Sequence, residues 1–372
     1  MVTLAYEGQE IPVVLQKISY YNERQQLLIS LEKKDQESGK ALAGAVFGLY
    51  AAADICNEEG TVIVSAWECL NQVTTDQDGM ASFDLELPHG LYCVKEEQAP
   101  AGYVTDANVY EVDLRECDGT TKVITETLIV ENQITQCEIS KTDITSGDEI
   151  PGATLELRDE KGELVERWIS GDKPHSIKGL QPGSSYTLTE FQAPYGYVLA
   201  ETITFTIEDT GKIQQVEMQD DHTFGKVQIQ KEDAATGEAL SGAIFELRDE
   251  SGKVLETLKT DEKGMAESSL YEIGTYQAGG FTKSLVYTLE EVKAPEGYQL
   301  DSTKHEIIFA YEDEETPEVV WKKTLKNEKV AAASAAQPVQ TGDHTDVFGL
   351  LCMLFLSGEA FLALLFFRRK LK

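Results

Sequence analysis

The sequence predicts an all-β protein of three tandem β-sandwiches followed by a C-terminal transmembrane helix. The first observation is an internal repeat, since similar stretches surround Lys33, Lys141 and Lys231. The second is that runs rich in Tyr, Thr, Val and Ile alternate with Gly, Pro, Asn and Asp turns, which is typical of a sandwich. The third is an apolar run of 21 residues at 347–367, long enough to span a bilayer as a helix.

Each repeat begins with a strand that carries a lysine on its apolar face. Side chains alternate between the faces of a strand, so Lys33 shares a face with Ile29 and Leu31, and Lys141 and Lys231 stand in equivalent positions. Lysine is seldom fully buried unless it is paired, and a buried amine tends to lose its proton. The lysines are 108 and 90 residues apart, so each repeat is a domain, and the recurrence predicts a chemical role for the amine.

Two further polar side chains recur on apolar strand faces. A glutamate precedes an Ala-Pro-x-Gly-Tyr segment in every repeat, and an Asn or Asp ends the last strand. Because these groups are far apart in sequence, only a fold can bring them to the lysine. The glutamates are Glu96, Glu190 and Glu291, and the terminal residues are Asn132, Asp220 and Asn327.

Composition excludes several functional classes. A net charge of −33 argues against nucleic-acid binding, which needs basic patches. The five histidines are scattered without metal-ligand spacing, and neither a Gly-rich phosphate loop nor a Gly-x-Ser-x-Gly motif is present. We therefore expect no cofactor and no metal.

Some residues do not recur between repeats. Cys56 and Cys69 flank a segment with hairpin character; a disulfide there suits an exported protein, whereas the lack of a recurring spacing favours free, small apolar cysteines. Trp67, Trp168 and Trp321 fall at unrelated places, and we expect all three to be packing residues.

The C-terminal end has three parts. Residues 331–337 form a small-residue linker. Residues 338–372 contain the Thr341-Gly342 motif, the apolar run 347–367 and a basic tail. The basic tail stays on the cytoplasmic side of the membrane, which places the domains outside the cell. This arrangement resembles a Gram-positive cell-wall sorting signal. The resemblance implies that a sortase cleaves between Thr341 and Gly342 and joins Thr341 to peptidoglycan or to a pilin lysine. Pro338 and Val339 stand where the Leu-Pro-x-Thr-Gly consensus has Leu and Pro, which leaves the sortase class open.

The N-terminal end shows no signal peptide, since residues 1–10 have neither a basic region nor a long apolar core. We expect the chain to be a C-terminal fragment or to have a misassigned start. Residues 1–24 then represent the remnant of a preceding β domain that ends near Asn22.

The repeats resemble the B-type domains of the Cna collagen adhesin and the SpaA-type domains of Gram-positive pilins. Three motifs carry the resemblance, namely Lys-x-Asp, Gly-Ala-x-Phe-x-Leu (Gly44, Gly152 and Gly242 begin its copies) and Glu-x-x-Ala-Pro-x-Gly-Tyr. The resemblance implies prealbumin-like, inverse-immunoglobulin sandwiches at residues 25–134, 135–223 and 224–330. We expect the aspartates of the first motif to begin turns, and we assign the Ala-Pro-x-Gly-Tyr segment no chemistry.

The resemblance also implies a spontaneous isopeptide bond between a lysine and an asparagine, catalysed by a buried glutamate. Carried over by position, the first domain has Lys33, Asn132 and Glu96. The third has Lys231, Asn327 and Glu291. The glutamate is expected to polarise the amide oxygen and to shuttle protons while ammonia leaves.

The second domain departs from this pattern because its last strand offers Asp220. Two alternatives stay open: a Lys141–Asp220 amide formed with loss of water and assisted by Glu190, or a buried salt bridge among Lys141, Glu190 and Asp220.

The sequence therefore predicts a wall-anchored surface stalk or adhesin, or an ancillary pilin subunit, with no enzymatic turnover beyond its own crosslinking. The partners are a sortase and peptidoglycan or a pilin backbone; a host matrix component or a glycan is a further candidate, and nucleic acid is not. The alternative is the spacer and anchor of a larger exported enzyme or binding protein whose functional part lies upstream.

Overall fold

The described part of the chain folds into three successive pairs of β-sheets. The structure, a computed structural model, describes residues 26–115 and 121–331, together with residue 9 and residues 17–19. Within these ranges the regular elements are strands, and no helix occurs. No helix in the described ranges is long and apolar enough to cross a membrane, and the predicted span 347–367 lies outside them.

The first sandwich packs a three-stranded sheet on a four-stranded one. Its nine strands include a small hairpin, β3–β4, inserted after β2. They are Gln26–Asp35 (β1), Val46–Ala51 (β2), Ile55–Cys56 (β3), Val62–Val64 (β4), Cys69–Thr74 (β5), Met80–Leu85 (β6), Leu91–Gln98 (β7), Val109–Asp113 (β8) and Val123–Asn132 (β9). One sheet has the order β6-β1-β9 and the other the order β5-β2-β7-β8.

The second sandwich repeats this plan without the inserted hairpin. Its sheets have the orders β13-β10-β16 and β12-β11-β14-β15. The strands are Gln136–Asp143 (β10), Thr154–Arg158 (β11), Leu164–Ile169 (β12), His175–Lys178 (β13), Ser185–Gln192 (β14), Ile203–Thr206 (β15) and Gln214–Asp220 (β16).

The third sandwich repeats the plan and adds a different hairpin, β22–β23. Strand β17 pairs antiparallel with β20 and β21 and parallel with β26, and the facing sheet has the order β19-β18-β24-β25. The strands are Phe224–Asp233 (β17), Ile244–Arg248 (β18), Val254–Lys259 (β19), Met265–Glu267 (β20), Tyr271–Glu272 (β21), Gly274–Gln277 (β22), Gly280–Ser284 (β23), Tyr287–Lys293 (β24), Lys304–Ile307 (β25) and Glu318–Asn327 (β26).

Each sandwich has its own core between its two sheets. In the first, Ile29 and Leu31 on β1 pack in one cluster with Phe47 on β2 and with Tyr92 and Val94 on β7. The alternation read from the sequence is therefore confirmed, because residues of one parity on β1 are buried. An all-β fold built of several sandwiches was predicted and is confirmed.

The first and last strands of every sandwich are parallel neighbours. Strand β1 runs beside β9, β10 beside β16 and β17 beside β26. A parallel pair cannot be joined by a short turn, so the rest of each domain forms the connection. This topology brings the two ends of each sandwich sequence side by side.

The hairpin predicted between Cys56 and Cys69 is present as β3–β4, although Cys69 lies beyond it on β5. Both cysteines are exposed and free.

Trp168 is buried and Trp321 packs against the third core, but the prediction for Trp67 is wrong, since its side chain is 60 % exposed. Trp67 follows the inserted hairpin, in a segment that has no counterpart in the repeat pattern.

A glycine after β19 allows the third sandwich to close around its first strand. Gly264 has a φ of +74°, and a Cβ there would lie 2.5 Å from the main-chain oxygen of Lys231. We expect Gly264→Ala to lower the free energy of unfolding of this sandwich by about 2–4 kcal/mol, because it adds a steric clash to left-handed backbone strain. Denaturant unfolding followed by Trp321 fluorescence, with Trp67 and Trp168 replaced by Phe, measures this loss.

The matched control is Gly252→Ala, which has a φ of +83° but no heavy atom within 4 Å of its Cβ. It carries the backbone strain alone, about 1 kcal/mol. Equal losses in the two variants would contradict the role given to the contact with Lys231.

Candidate functional site

The three lysines lie inside the sandwiches, as the strand alternation predicts. Lys33, Lys141 and Lys231 are each at most 1 % exposed, on strands that have a neighbour on both sides. Burial lowers the pKa of Lys33 and of Lys231, and it outweighs the opposing effect of the nearby carboxylates of Glu96 and Glu291. These two amines are therefore shifted toward the neutral, nucleophilic form.

The last strand places its terminal polar side chain one pleat beyond the lysine. Lys33 lies opposite Val130, and Asn132 lies two positions further along the parallel strand. The third sandwich has the same register, with Lys231 opposite Leu325 and Asn327 two positions on. Because a lysine side chain leans along its strand, this offset directs the amine toward the amide.

The glutamate comes from the facing sheet. Glu96 on β7 and Glu291 on β24 are at most 3 % exposed. The Nζ of Lys33 is 3.5 Å from Oε1 of Glu96, and the Nζ of Lys231 is 3.2 Å from Oε1 of Glu291. Lysine, glutamate and asparagine thus meet between the sheets of the first and third sandwiches.

The asparagine amide is oriented by two acceptors. Nδ2 of Asn132 donates to Oε2 of Glu96 at 2.8 Å and to the main-chain oxygen of Val104 at 2.7 Å. Asn327 makes the same pair of bonds, to Glu291 at 2.9 Å and to the main-chain oxygen of Gln299 at 2.6 Å. The carboxylate therefore faces the amide nitrogen rather than the amide oxygen.

Several atoms of this group are buried without a hydrogen-bond partner. Among the described residues, Lys33 Nζ and the amide oxygens of Asn132 and Asn327 have none. An unpaired buried polar atom costs about 1–3 kcal/mol. Each of these three atoms therefore lowers the stability of its sandwich.

A main-chain donor that sequence reasoning missed fixes each glutamate. The N–H of the residue ten positions further along donates to Oε2, at 2.7 Å from Asp106 to Glu96, 2.7 Å from Ala200 to Glu190 and 2.9 Å from Asp301 to Glu291. All three donors follow the Ala-Pro-x-Gly-Tyr segment. The sequence predicts no chemistry for that segment. The residues that follow it nevertheless donate a main-chain N–H to the glutamate and, in the first and third sandwiches, accept a bond from the asparagine amide.

The same segment is tied to the Lys-x-Asp motif. The hydroxyl of Tyr197 donates to Asp143 Oδ2 and that of Tyr298 to Asp233 Oδ2, each at 2.8 Å. The other carboxylate oxygen, Oδ1, accepts main-chain N–H groups of the following turn, as the sequence predicts for these aspartates. These contacts join two recurring motifs next to the lysine; the signal in the sequence was their joint recurrence.

The second sandwich has the same arrangement with a carboxyl in place of the amide. Lys141 Nζ donates to Oδ1 of Asp220 and to Oε2 of Glu190, the latter at 3.2 Å. Burial raises the pKa of Asp220 to about 7, against the lowering effect of Lys141. Near neutral pH this carboxyl is therefore partly protonated.

The predicted sortase residues, Thr341 and Gly342, lie outside the described residues. Within the described ranges, no cluster of His, Cys, Asp and Glu side chains could hold a metal ion.

The sequence profile of one family, SpaA, prealbumin-like fold domain, matches residues 28–127, 135–222, 225–279 and 280–325. Among solved structures, the Bacillus anthracis TIE protein is 30 % identical with a TM-score of 0.48, and the match covers 82 % of this chain and 51 % of that one. The chain thus spans about half the length of that protein.

Two pilins of known structure are also similar to the chain. The major pilin subunit BcpA of Bacillus cereus is 18 % identical with a TM-score of 0.43, and the match covers 82 % of this chain and all of that one. The major pilin SpaD of Corynebacterium diphtheriae is 15 % identical with a TM-score of 0.37, covering 85 % of this chain and all of that one. No curated protein sequence matches the chain.

The link between the two motifs can be tested at Tyr197. We expect Tyr197→Phe to lower the free energy of unfolding of the second sandwich by about 1–3 kcal/mol, because it leaves buried Asp143 without this charge-assisted hydrogen bond. Denaturant unfolding followed by Trp168 fluorescence, in a chain with Trp67 and Trp321 replaced by Phe, gives the loss.

Tyr195→Phe is the control, since Tyr195 is 53 % exposed and contributes ring contacts with Phe281 and Tyr311 that Phe retains. Its effect should stay within about 0.5 kcal/mol. A Tyr197→Phe loss no larger than that of Tyr195→Phe would show that the hydroxyl does not stabilise the site.

Proposed function

Because the chain belongs to the SpaA family of prealbumin-like fold domains, we propose that it is a pilin-type surface stalk whose domains crosslink themselves. Its domains span residues 25–134, 135–223 and 224–330. The observation that carries the proposal is the shared placement of a buried lysine, a buried glutamate and an asparagine in the first and third sandwiches.

The reaction is an amide exchange that occurs once per domain. The neutral amine of Lys33 attacks Cγ of Asn132, the new N–C bond forms, and the bond from Cγ to Nδ2 breaks. One proton passes from the amine to Glu96 and on to Nδ2, so that ammonia leaves and the glutamate is regenerated. The third sandwich does the same with Lys231, Glu291 and Asn327.

The surroundings favour this reaction in three ways. Burial lowers the pKa of the attacking amine, and the glutamate contacts both the amine side and the leaving nitrogen. Fixed proximity raises the effective concentration of the reacting groups by several orders of magnitude. Bond formation also removes the buried Lys33 amine, which otherwise lacks a hydrogen-bond partner and destabilises the site.

In the second sandwich we propose a Lys141–Asp220 amide formed with loss of water. A protonated carboxyl is the form that can lose water, and burial raises the pKa of Asp220 toward neutrality. The alternative is a salt bridge among Lys141, Glu190 and Asp220, and their contacts suit that alternative as well. Intact mass separates the two because only the amide changes it.

Such crosslinks suit a structural stalk. Since each would join the parallel first and last strands of a sandwich, a pulling force would pass through the amide without unfolding the strands between. On the disulfide model, a crosslink that closes a loop of this length stabilises a domain by about 4–5 kcal/mol.

We also propose that the stalk is anchored to the wall of a Gram-positive cell. The Thr341-Gly342 motif, the apolar run 347–367 and the basic tail that follows support this. The partners are then a sortase and either peptidoglycan or a pilin backbone. A host matrix component or a glycan would be a ligand of the stalk rather than of the anchor.

Crosslinking can be read from the mass of the full chain denatured in reductant. We expect the loss of one ammonia each from the first and third sandwiches, and of one water from the second if Lys141 reacts. Glu291→Gln should slow the third crosslink by about 10²–10⁴-fold, because it removes the proton carrier, while the first crosslink remains.

Glu290→Gln is the matched control, since Glu290 lies on the same strand, faces outward and pairs with Lys304 at 3.5 Å. It should leave all mass losses intact. The mechanism is ruled out if the chain without substitutions shows no mass loss. It is also ruled out if the Glu291→Gln chain crosslinks as fast as the control.

Anchoring is tested by fractionating Gram-positive cells that express the chain behind a secretion signal. We expect wall-linked material whose C-terminal residue is Thr341, and we expect Thr341→Ala to keep the uncleaved chain in the membrane fraction. Thr345→Ala, four residues further on, is the control and should anchor normally. Equal anchoring of the Thr341→Ala and Thr345→Ala chains would exclude cleavage at Thr341.

A further inference from the structure

A buried histidine lies where the second sandwich meets the third. His222 follows the last strand of the second sandwich, and its side chain is 5 % exposed. Its Nε2 is 2.8 Å from Oδ2 of Asp143 in the second sandwich, and its Nδ1 is 2.9 Å from Oε2 of Glu272 in the third. The ring also stacks on Tyr276 of the third sandwich, with centroids 3.6 Å apart.

This geometry fits only the protonated ring. A neutral imidazole has one N–H donor, so one of the two carboxylates would face a nitrogen lone pair. The imidazolium donates to both carboxylates and carries a compensating charge. One proton therefore links an acidic group of the second sandwich to an acidic group of the third.

The other titratable groups around the ring do not replace this charge. The N–H of His222 donates to Asp221 at 2.8 Å, and Asp220 ends the same strand. From the other packed elements, Tyr197 lies edge-on to the ring and donates its hydroxyl to Asp143, while Tyr276 covers the ring face. The charged groups facing the imidazole are thus acidic, and loss of its proton would leave them uncompensated.

The inserted β22–β23 hairpin brings the third sandwich to this histidine. Besides Tyr276, it contributes Phe281, whose ring lies 4.8 Å from that of Tyr195. The Tyr276 hydroxyl donates to the main-chain oxygen of Gly196 at 2.8 Å, and a neighbouring bond runs from Leu199 N–H to Glu314 O at 2.9 Å. The contact therefore combines aromatic rings with side-chain and main-chain hydrogen bonds between the two sandwiches.

The junction between the first and second sandwiches has an apolar residue at the position that corresponds to His222. The residue two positions after Asn132 is Ile134, whereas His222 stands two positions after Asp220. Thr135 donates its hydroxyl to Gly102 O at 3.1 Å, and Gly102 N–H donates to the side-chain oxygen of Gln181 at 3.1 Å. This first junction serves as an internal reference.

We propose that protonated His222 fixes the third sandwich on the second. While the ring is charged, these two domains move as one unit. The inference is independent of crosslinking. Burial works to lower the pKa of His222, but the bonds to Glu272 and Asp143 outweigh it and raise that pKa above its ordinary value. A raised pKa means that the contact is fully stabilised below the ordinary histidine pKa and is lost as the pH rises through the raised one.

The test is NMR on the full chain uniformly labelled with ¹⁵N, in which only five histidines contribute imidazole signals. We expect His222 to titrate above about 6.5, the ordinary value. We also expect Leu199 amide exchange, corrected for its intrinsic pH dependence, to lose about tenfold in protection for each pH unit by which the interface raises that midpoint. Protection of Gly102 in the first junction should not follow this titration.

Two variants of the third sandwich make the test specific. Glu272→Gln keeps the shape of the side chain and should lower the His222 midpoint by about one pH unit or more. Glu267→Gln, which breaks an ion pair with Lys226 away from the junction, should leave it unchanged. A midpoint at or below about 6.5, equal effects of the two variants, or Leu199 protection that ignores the titration would each overturn the proposal.

Discussion

The burial of a lysine amine on the first strand of each sandwich is the constraint on which the rest of the structure depends. An amine enclosed between two sheets must be paired, neutral or covalently bound. The protein places a glutamate from the facing sheet and an Asn or Asp from the neighbouring parallel strand beside it. The parallel pairing of first and last strands makes this possible, because it brings residues 79 to 99 positions apart to adjacent strands.

Two turn motifs position the polar groups around the buried lysine. The aspartate of Lys-x-Asp organises the turn after the first strand, and the tyrosine of Ala-Pro-x-Gly-Tyr bonds to that aspartate. The chain leaving the second motif then supplies a main-chain donor to the glutamate and a main-chain acceptor to the asparagine amide. Residues that look like ordinary turn formers therefore position the buried glutamate and asparagine, and their recurrence has a physical reason.

The domains differ more at their junctions than in their interiors. Between the first and second sandwiches, the contacts include hydrogen bonds between neutral groups, a bond from Thr105 N–H to Asp209 and an exposed ion pair of Lys178 with Glu37. Between the second and third, an inserted hairpin, a cluster of aromatic rings and a buried histidine with two carboxylates meet. The chemistry of the two junctions therefore differs, although the plan of the sandwiches is repeated.

The sequence by itself determined the all-β class, the repeated sandwich, the burial of Lys33, Lys141 and Lys231 and the identity of the polar side chains that accompany them. These follow from strand periodicity and from recurrence, which are local properties. Only the tertiary structure decided that Glu96 faces the amide nitrogen of Asn132, that the Ala-Pro-x-Gly-Tyr segment supports the site, that Trp67 is exposed and that His222 joins two domains. Main-chain donors have no sequence signature, and contacts such as His222 with Glu272 join residues of different domains, so neither can be read before the strands and the domains are packed.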